Sequence, residues 1–185
     1  MIQIDNQVHG AEPIYFTRGF REDVDWVFGG LDCEGEELCA LAFIVNNPKV
    51  VVFYRCLPVP NSVMERSRDA VTLHTSSSEV QKVIEGERVA RDRRCLELLI
   101  HIHPDNSPEL STVDIKTYEA ERRCRGGIMR GGRGCPVLLV NQAESCNPTL
   151  LGFWVRNGRA FRSEIRCIDD DSAIAIEAWE GASPI

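Results

Sequence analysis

The sequence predicts a single α/β (α+β) domain in which a mainly antiparallel sheet is flanked by helices. Apolar runs rich in β-branched and aromatic residues, which favour strands, alternate with segments whose apolar residues recur at helical spacing. Neither an internal repeat nor a clear linker divides the 185 residues, and a chain of this length is most simply one domain. We therefore expect one domain at 1–185, with its core at about 18–166 and an acidic tail at 167–185.

The first half of the chain predicts a helix followed by a pair of strands. The segment FREDVDWVFGG (20–30) has apolar residues at helical spacing and ends in two glycines, as a helix does. An acidic turn (31–37) leads to two strongly apolar runs at 38–45 and 49–59, which predict an antiparallel strand pair. Residues 60–75 are polar and irregular, with one short strand in the run AVTLH.

The middle of the chain predicts a second helix and a strand. Residues 76–94 have helical periodicity, and Ser76 and Glu79 have the spacing of a capping box. The run CLELLIHIHP (95–104) is a strand ended by proline, with Leu98, Ile100 and Ile102 on one face and Leu99, His101 and His103 on the other.

The second half of the chain predicts a third helix, another strand and a hairpin. The helix is expected at 111–124 and the strand at 136–140. The hairpin is expected at 150–166, where Asn157 and Gly158 suit a type I′ turn.

The composition of the chain limits where the protein can be located and what it can bind. The longest apolar run, seven residues at 39–45, is too short to span a membrane, and the first residues lack the pattern of a secretory signal, so we expect a cytoplasmic protein. The eight cysteines form no C-x-x-C pair, which favours reduced thiols. A net charge of -7 argues against nucleic-acid binding. The basic, glycine-rich stretch at 122–135 is interpreted as a surface loop, with a nucleic-acid-binding arm as the alternative.

The stretch HIHPDNSPELSTVD (101–114) carries the chemistry. On a strand, His101 and His103 point to the same side, while Ser111 as a helix cap and Asp114 three residues later share one helix face. Two imidazoles and a carboxylate suit zinc, and three protein ligands leave a fourth position for water, as in catalytic sites. A lone H-x-H usually marks an ordinary core or surface histidine, but the complete pattern H-x-H-P-x6-S-x2-D is far more specific.

This pattern resembles the signature of the JAB/MPN metalloenzymes, also called JAMM isopeptidases, in which a distant upstream glutamate precedes H-x-H-P-x6-S-x2-D. The resemblance implies a JAB/MPN-like (cytidine-deaminase-like) fold over about 18–166. It also implies that His101, His103 and Asp114 bind Zn2+, and that Ser111 lies beside the reacting carbonyl.

The upstream glutamate has three candidates: Glu34, Glu36 and Glu37. In the family, this residue commonly begins a pattern E-x-C-G-L. ELCAL (37–41) resembles that pattern best, with Ala40 where glycine is usual. Glu37 is therefore our prediction for the general base, and Glu36 is the alternative.

The resemblance implies a zinc-dependent isopeptidase or peptidase that cuts the amide bond after the C-terminal glycine of a ubiquitin-like modifier. Its substrate would be a ubiquitin-like or sulfur-carrier-like β-grasp protein, and E1-like and E2-like enzymes would be partners. Two alternatives stay open: a RadC-like protein associated with DNA repair, and a non-catalytic scaffold of the same fold. The negative charge and the lack of a DNA-binding module argue against the first, and the complete ligand set argues against the second.

Overall fold

The computed structural model describes residues 12–29, 37–45, 50–66, 71–90, 95–103, 107–124, 134–142 and 148–171. A single turn of 3-10 helix lies at Asn61–Val63. The strands and α-helices of these ranges follow one another as β1 (Ile14–Thr17), α1 (Arg18–Phe28), β2 (Leu38–Val45), β3 (Val52–Pro58), β4 (Met64–Arg66), β5 (Val71–Leu73), α2 (Ser78–Ala90), β6 (Cys95–Ile102), α3 (Thr112–Cys124), β7 (Cys135–Gln142), β8 (Pro148–Arg156), β9 (Arg159–Ser163) and β10 (Ile165–Ile168).

One eight-stranded sheet dominates the described residues, in the order β10-β1-β3-β2-β6-β7-β8-β9, and β4 and β5 form a separate two-stranded ribbon. The sheet pairs β2 with β3, β2 with β6, β7 with β8 and β8 with β9 are antiparallel. The pairs β1 with β10, β1 with β3 and β6 with β7 are parallel. The predicted α+β domain is therefore confirmed at the level of class. Its sheet is mixed, with the antiparallel pairs in a small majority.

Helix α1 packs mainly against β3 of the sheet. Its buried residues Phe20, Val24 and Phe28 recur at helical spacing, and the ring of Phe20 lies 5.5 Å from that of Phe53 on β3. The helix begins two residues before the predicted start because Thr17 caps it, accepting a hydrogen bond of 3.1 Å from the Phe20 N–H through its hydroxyl.

Helix α2 packs its buried residues Val80 and Ile84 into a second cluster with residues of β2 and β3. Its cap is Ser77, whose Oγ accepts a hydrogen bond of 3.3 Å from the Val80 N–H. The predicted cap at Ser76 was wrong by one residue. Three consecutive serines leave the sequence pattern ambiguous at this point.

The pairing of β2 with β6 positions the candidate site. Cys39 lies opposite His101 in an antiparallel register that runs without interruption from Leu38 to Val45 of β2. The even-numbered residues 98, 100 and 102 of β6 are buried in the same core cluster as α1. Leu99 instead packs against the cluster that includes α2, so the predicted alternation of β6 is confirmed.

The first and last strands of the described residues, β1 and β10, were not predicted. The Ile14 N–H donates a hydrogen bond of 2.9 Å to the Glu164 carbonyl, and β1 and β10 run parallel. The predicted turn is confirmed, because Asn157 and Gly158 have φ angles of 52° and 69°. The predicted hairpin at 150–166, however, ends at β9, and its last residues belong to β10. The sheet thus extends beyond the expected core on both sides.

Other predictions concern residues outside the described ranges, including most of the basic loop at 122–135 and of the acidic tail. Cys39, Cys56 and Cys135 are buried free thiols, as expected of small core residues. Among the described residues, no helix combines the length and the hydrophobicity needed to cross a membrane.

Candidate metal centre

Three donor groups meet where β6 ends and α3 begins. The Nε2 atoms of His101 and His103 lie 3.0 Å apart. Asp114 places Oδ1 3.2 Å from the first of these nitrogens and Oδ2 3.2 Å from the second. All three residues are buried, with exposures of 4%, 5% and 9%. The structure therefore brings together the three predicted metal ligands.

The geometry of these donors fits a metal ion. A tetrahedral zinc ion with ligands at about 2.0–2.1 Å separates its ligand atoms by about 3.3 Å. The two nitrogens are 3.0 Å apart and each lies 3.2 Å from one of the two carboxylate oxygens, and these separations are close to that value. Two imidazole nitrogens and one carboxylate are also a donor set that zinc accepts, whereas magnesium and calcium prefer oxygen. The buried group formed by His101, His103 and Asp114 can thus hold a metal ion.

The first turn of α3 holds Asp114 in place. The Ser111 N–H donates a hydrogen bond of 2.7 Å to Asp114 Oδ2, and the Asp114 N–H donates one of 3.1 Å to Ser111 Oγ. This reciprocal pair is a capping arrangement, which confirms Ser111 as the helix cap. Because Ser111 Oγ accepts in this bond, its own proton can still be donated to another group.

The electrostatics of the site favour a cation. Burial alone would favour the neutral acid, but hydrogen bonds from both histidines and from Ser111 hold the pKa of Asp114 well below its usual range. Burial likewise favours the neutral ring of His103. The hydrogen bond to Asp114 and the charges of Asp114 and Glu37 outweigh burial and raise the pKa of His103. Two carboxylates thus make the potential at the ring nitrogens negative.

Glu37 lies directly beside this group. It immediately precedes β2, and the register that pairs Leu38 with Ile102 places it opposite His103. Its Oε1 is 4.0 Å from His103 Nε2, and the residue is only 4% exposed. Glu37 is therefore near the donors but further from them than they are from one another. The alternative, Glu36, lies outside the described residues.

A small cavity of about 40 Å³ opens next to the donors. Besides Glu37, His101 and Asp114, it is lined by Cys39, Val71, Leu99, Val113, Thr117 and Tyr118. Burial, reinforced by the charge of Glu37, raises the pKa of the Cys39 thiol to about 12, so this thiol is neutral at physiological pH. The cavity wall is thus mainly apolar, apart from the groups that make up the site.

Sequence reasoning missed Tyr118. Its hydroxyl donates a hydrogen bond of 3.0 Å to the Leu99 carbonyl and lies 3.2 Å from His101 Nδ1. The signal was present, because Tyr118 follows Asp114 by four residues and so shares its helix face.

Comparisons with known proteins inform the fold rather than the chemistry. No family model and no curated protein matches the chain. Among solved structures, the chain is similar to protein DSY2949 from Desulfitobacterium hafniense, determined in solution. The TM-score is 0.55 at 16% sequence identity, and the match covers 85% of this chain and 94% of that chain. At this identity, the likeness shows a shared fold.

Proposed function

We propose that this protein is a zinc-dependent isopeptidase or processing peptidase that hydrolyses the amide bond after the C-terminal glycine of a ubiquitin-like modifier. One observation carries the proposal: the residues of the H-x-H and S-x2-D pairs converge on one buried donor group, with a buried glutamate at its edge. The order of helix, strand pair, helix, histidine strand and helix also agrees with a JAB/MPN-like fold.

The chain supplies three kinds of group to such a reaction. His101, His103 and Asp114 would hold zinc, which supplies Lewis acidity toward a water molecule and a carbonyl oxygen. Glu37 is the general base in this scheme, because its buried carboxylate lies 4.0 Å from His103 Nε2. It accepts the proton of the attacking water and delivers it to the leaving amine.

Ser111 has a double role in this proposal. Its Oγ already accepts the hydrogen bond that caps α3, and its own proton, which the Asp114 carboxylate also attracts, can be donated to the negative charge that develops on the substrate's carbonyl oxygen. The cap holds the hydroxyl oxygen in position before the substrate binds. Such preorganised donors contribute most when charge develops in the transition state.

The surroundings of the site favour a narrow substrate. Val71 of β5 and Val113 of α3 line the small cavity from different elements. A glycine lets the substrate backbone approach closely, where a larger side chain would need additional space. The ribbon of β4 and β5 lies near this cavity, and an extended tail can pair with such a strand by backbone hydrogen bonds. A ubiquitin-like or sulfur-carrier-like β-grasp protein with a terminal glycine has the required form, and E1-like and E2-like enzymes are the expected partners.

The proposal is tested by incubating the zinc-loaded protein with β-grasp modifier fusions that end in Gly-Gly or Ala-Ala at the junction. Mass spectrometry should show cleavage after the terminal glycine and little cleavage of the Ala-Ala fusion. Equal cleavage of both fusions, or efficient digestion of casein, would replace this proposal with a general metallopeptidase. No hydrolysis of either fusion or of casein by protein with a full complement of zinc would favour the non-catalytic scaffold, and zinc-dependent DNA binding would favour the RadC-like alternative.

A further inference from the structure

We infer that Tyr118 is a positioning residue: its hydroxyl selects the tautomer of His101 that presents a free Nε2 lone pair to a metal ion. The inference rests on the metal centre of the proposed function, but not on the identity of the substrate. It follows from two hydrogen bonds that meet at one oxygen atom, the Tyr118 hydroxyl.

The position of the Tyr118 hydroxyl proton follows from which of its neighbours can donate and which can accept a hydrogen bond. A carbonyl oxygen can only accept, so the 3.0 Å contact between the Tyr118 hydroxyl and the Leu99 carbonyl uses the hydroxyl proton. The hydroxyl oxygen must then act as the acceptor toward His101 Nδ1, 3.2 Å away. A neutral imidazole has one N–H and one lone pair, so a proton on Nδ1 leaves Nε2 as the acceptor atom.

That free lone pair has the direction a metal site requires. His101 Nε2 is the atom that lies 3.0 Å from His103 Nε2 and 3.2 Å from Asp114 Oδ1. Metal-binding histidines generally donate their other ring N–H to a nearby acceptor, which fixes both tautomer and ring orientation. In this chain the acceptor is a tyrosine hydroxyl, which is itself anchored to the backbone of the same strand that carries His101.

The ring of Tyr118 makes a separate contribution. It stacks on the imidazole of His101 with a centroid distance of 6.2 Å and an interplanar angle of 27°, and the residue is 3% exposed. Phenylalanine retains this ring but lacks the hydroxyl. Tyr118→Phe therefore removes the hydrogen bonds while keeping the packing.

The decisive measurement is the state of the His101 ring in zinc-loaded protein, because in metal-free protein Asp114 Oδ1, 3.2 Å from His101 Nε2, competes for the ring proton. Long-range proton–nitrogen NMR correlations of labelled histidine rings should show His101 bound through Nε2, with an Nδ1–H that exchanges slowly with solvent. This readout needs no activity. In Tyr118→Phe, the Nδ1–H of His101 should exchange faster, whereas Tyr54→Phe, which removes another buried tyrosine hydroxyl, should leave the spectrum of His101 unchanged.

The second measurement is zinc affinity, determined by competition with a chelator. Removing such an outer hydrogen-bond partner typically weakens metal binding by about 10- to 100-fold, and this is the effect we expect for Tyr118→Phe. Binding of zinc through Nδ1 of His101 in the unmodified chain, or an unchanged zinc affinity in folded Tyr118→Phe, overturns the inference. If the NMR and zinc-affinity results are as expected but no modifier fusion is cleaved, the role of Tyr118 stands and only the proposed function is refuted.

Discussion

Replacing Glu37 with glutamine should separate proton transfer from metal binding. The Glu37 carboxylate lies 4.0 Å from His103 Nε2, whereas the three donor groups approach one another to 3.0–3.2 Å. Glu37 is therefore placed beside the ligand set rather than within it, and the substitution should leave the zinc content at one equivalent per chain. Glutamine has the same shape as glutamate, so the packing of this buried position should also persist.

The expected loss of activity is large. A positioned general acid–base group typically contributes about 10²- to 10⁴-fold to a rate. At about 1.4 kcal/mol for each factor of ten, this corresponds to a barrier higher by about 3–6 kcal/mol. The assay is the kcat/KM for cleavage of a Gly-Gly modifier fusion, measured on samples whose zinc content has been determined by elemental analysis.

The matched control is Glu97→Gln. Glu97 lies on β6, the strand that carries His101, and its carboxylate is 3.0 Å from Arg88 of α2, so its loss should lower stability without changing turnover at equal zinc content. Full activity of zinc-loaded Glu37→Gln refutes Glu37 as the base. If Glu36→Gln is then inactive, the base is the preceding residue.

Further substitutions test the ligands, the cap and the backbone. The double variant His101→Ala, His103→Ala should lose its zinc, and stoichiometric zinc in that variant would refute the centre. Ser111→Ala should retain zinc, lower the free energy of unfolding by about 1 kcal/mol and reduce turnover by about 10²- to 10³-fold. Ser111→Thr keeps a hydroxyl group and should restore part of the stability and part of the turnover. Gly134 has a φ of 103°, and a Cβ there would lie 2.5 Å from the Val155 carbonyl oxygen. In urea titrations, Gly134→Ala should lower the free energy of unfolding by more than about 1 kcal/mol. Gly86 lies in the middle of α2 with open space around it, so Gly86→Ala should raise the free energy of unfolding by about 0.5–1 kcal/mol. The reverse order of stabilities would contradict this account of the two glycines.

The parts of the site that could be predicted are those set by local periodicity. The placement of His101 and His103 on one face follows from the two-residue period of a strand, and the alignment of Ser111 with Asp114 follows from the helical turn. Each of these two predictions requires only the secondary structure of the segment that carries the residues.

The parts that could not be predicted depend on pairings between distant segments. Strand β1 has only four residues, and its partners β3 and β10 are parallel strands from elsewhere in the chain. Acidic residues follow directly after Ile168, so the sequence pattern predicted the end of β10 as part of an acidic tail. The nearness of Glu37 to His103 required the register of β2 with β6, which alternation alone does not determine.

The metal ligands and the glutamate differ in how far apart they lie along the chain. His103 and Asp114 are separated by 11 positions, so the connection between β6 and α3 brings all three ligands together with a short loop closure. Glu37 joins them only when the distant strand β2 pairs with β6 in the correct register. Under the proposed function, zinc binding and catalysis would therefore depend on different levels of folding, and a chain whose β2 is displaced would keep its ligand set without the base that hydrolysis requires.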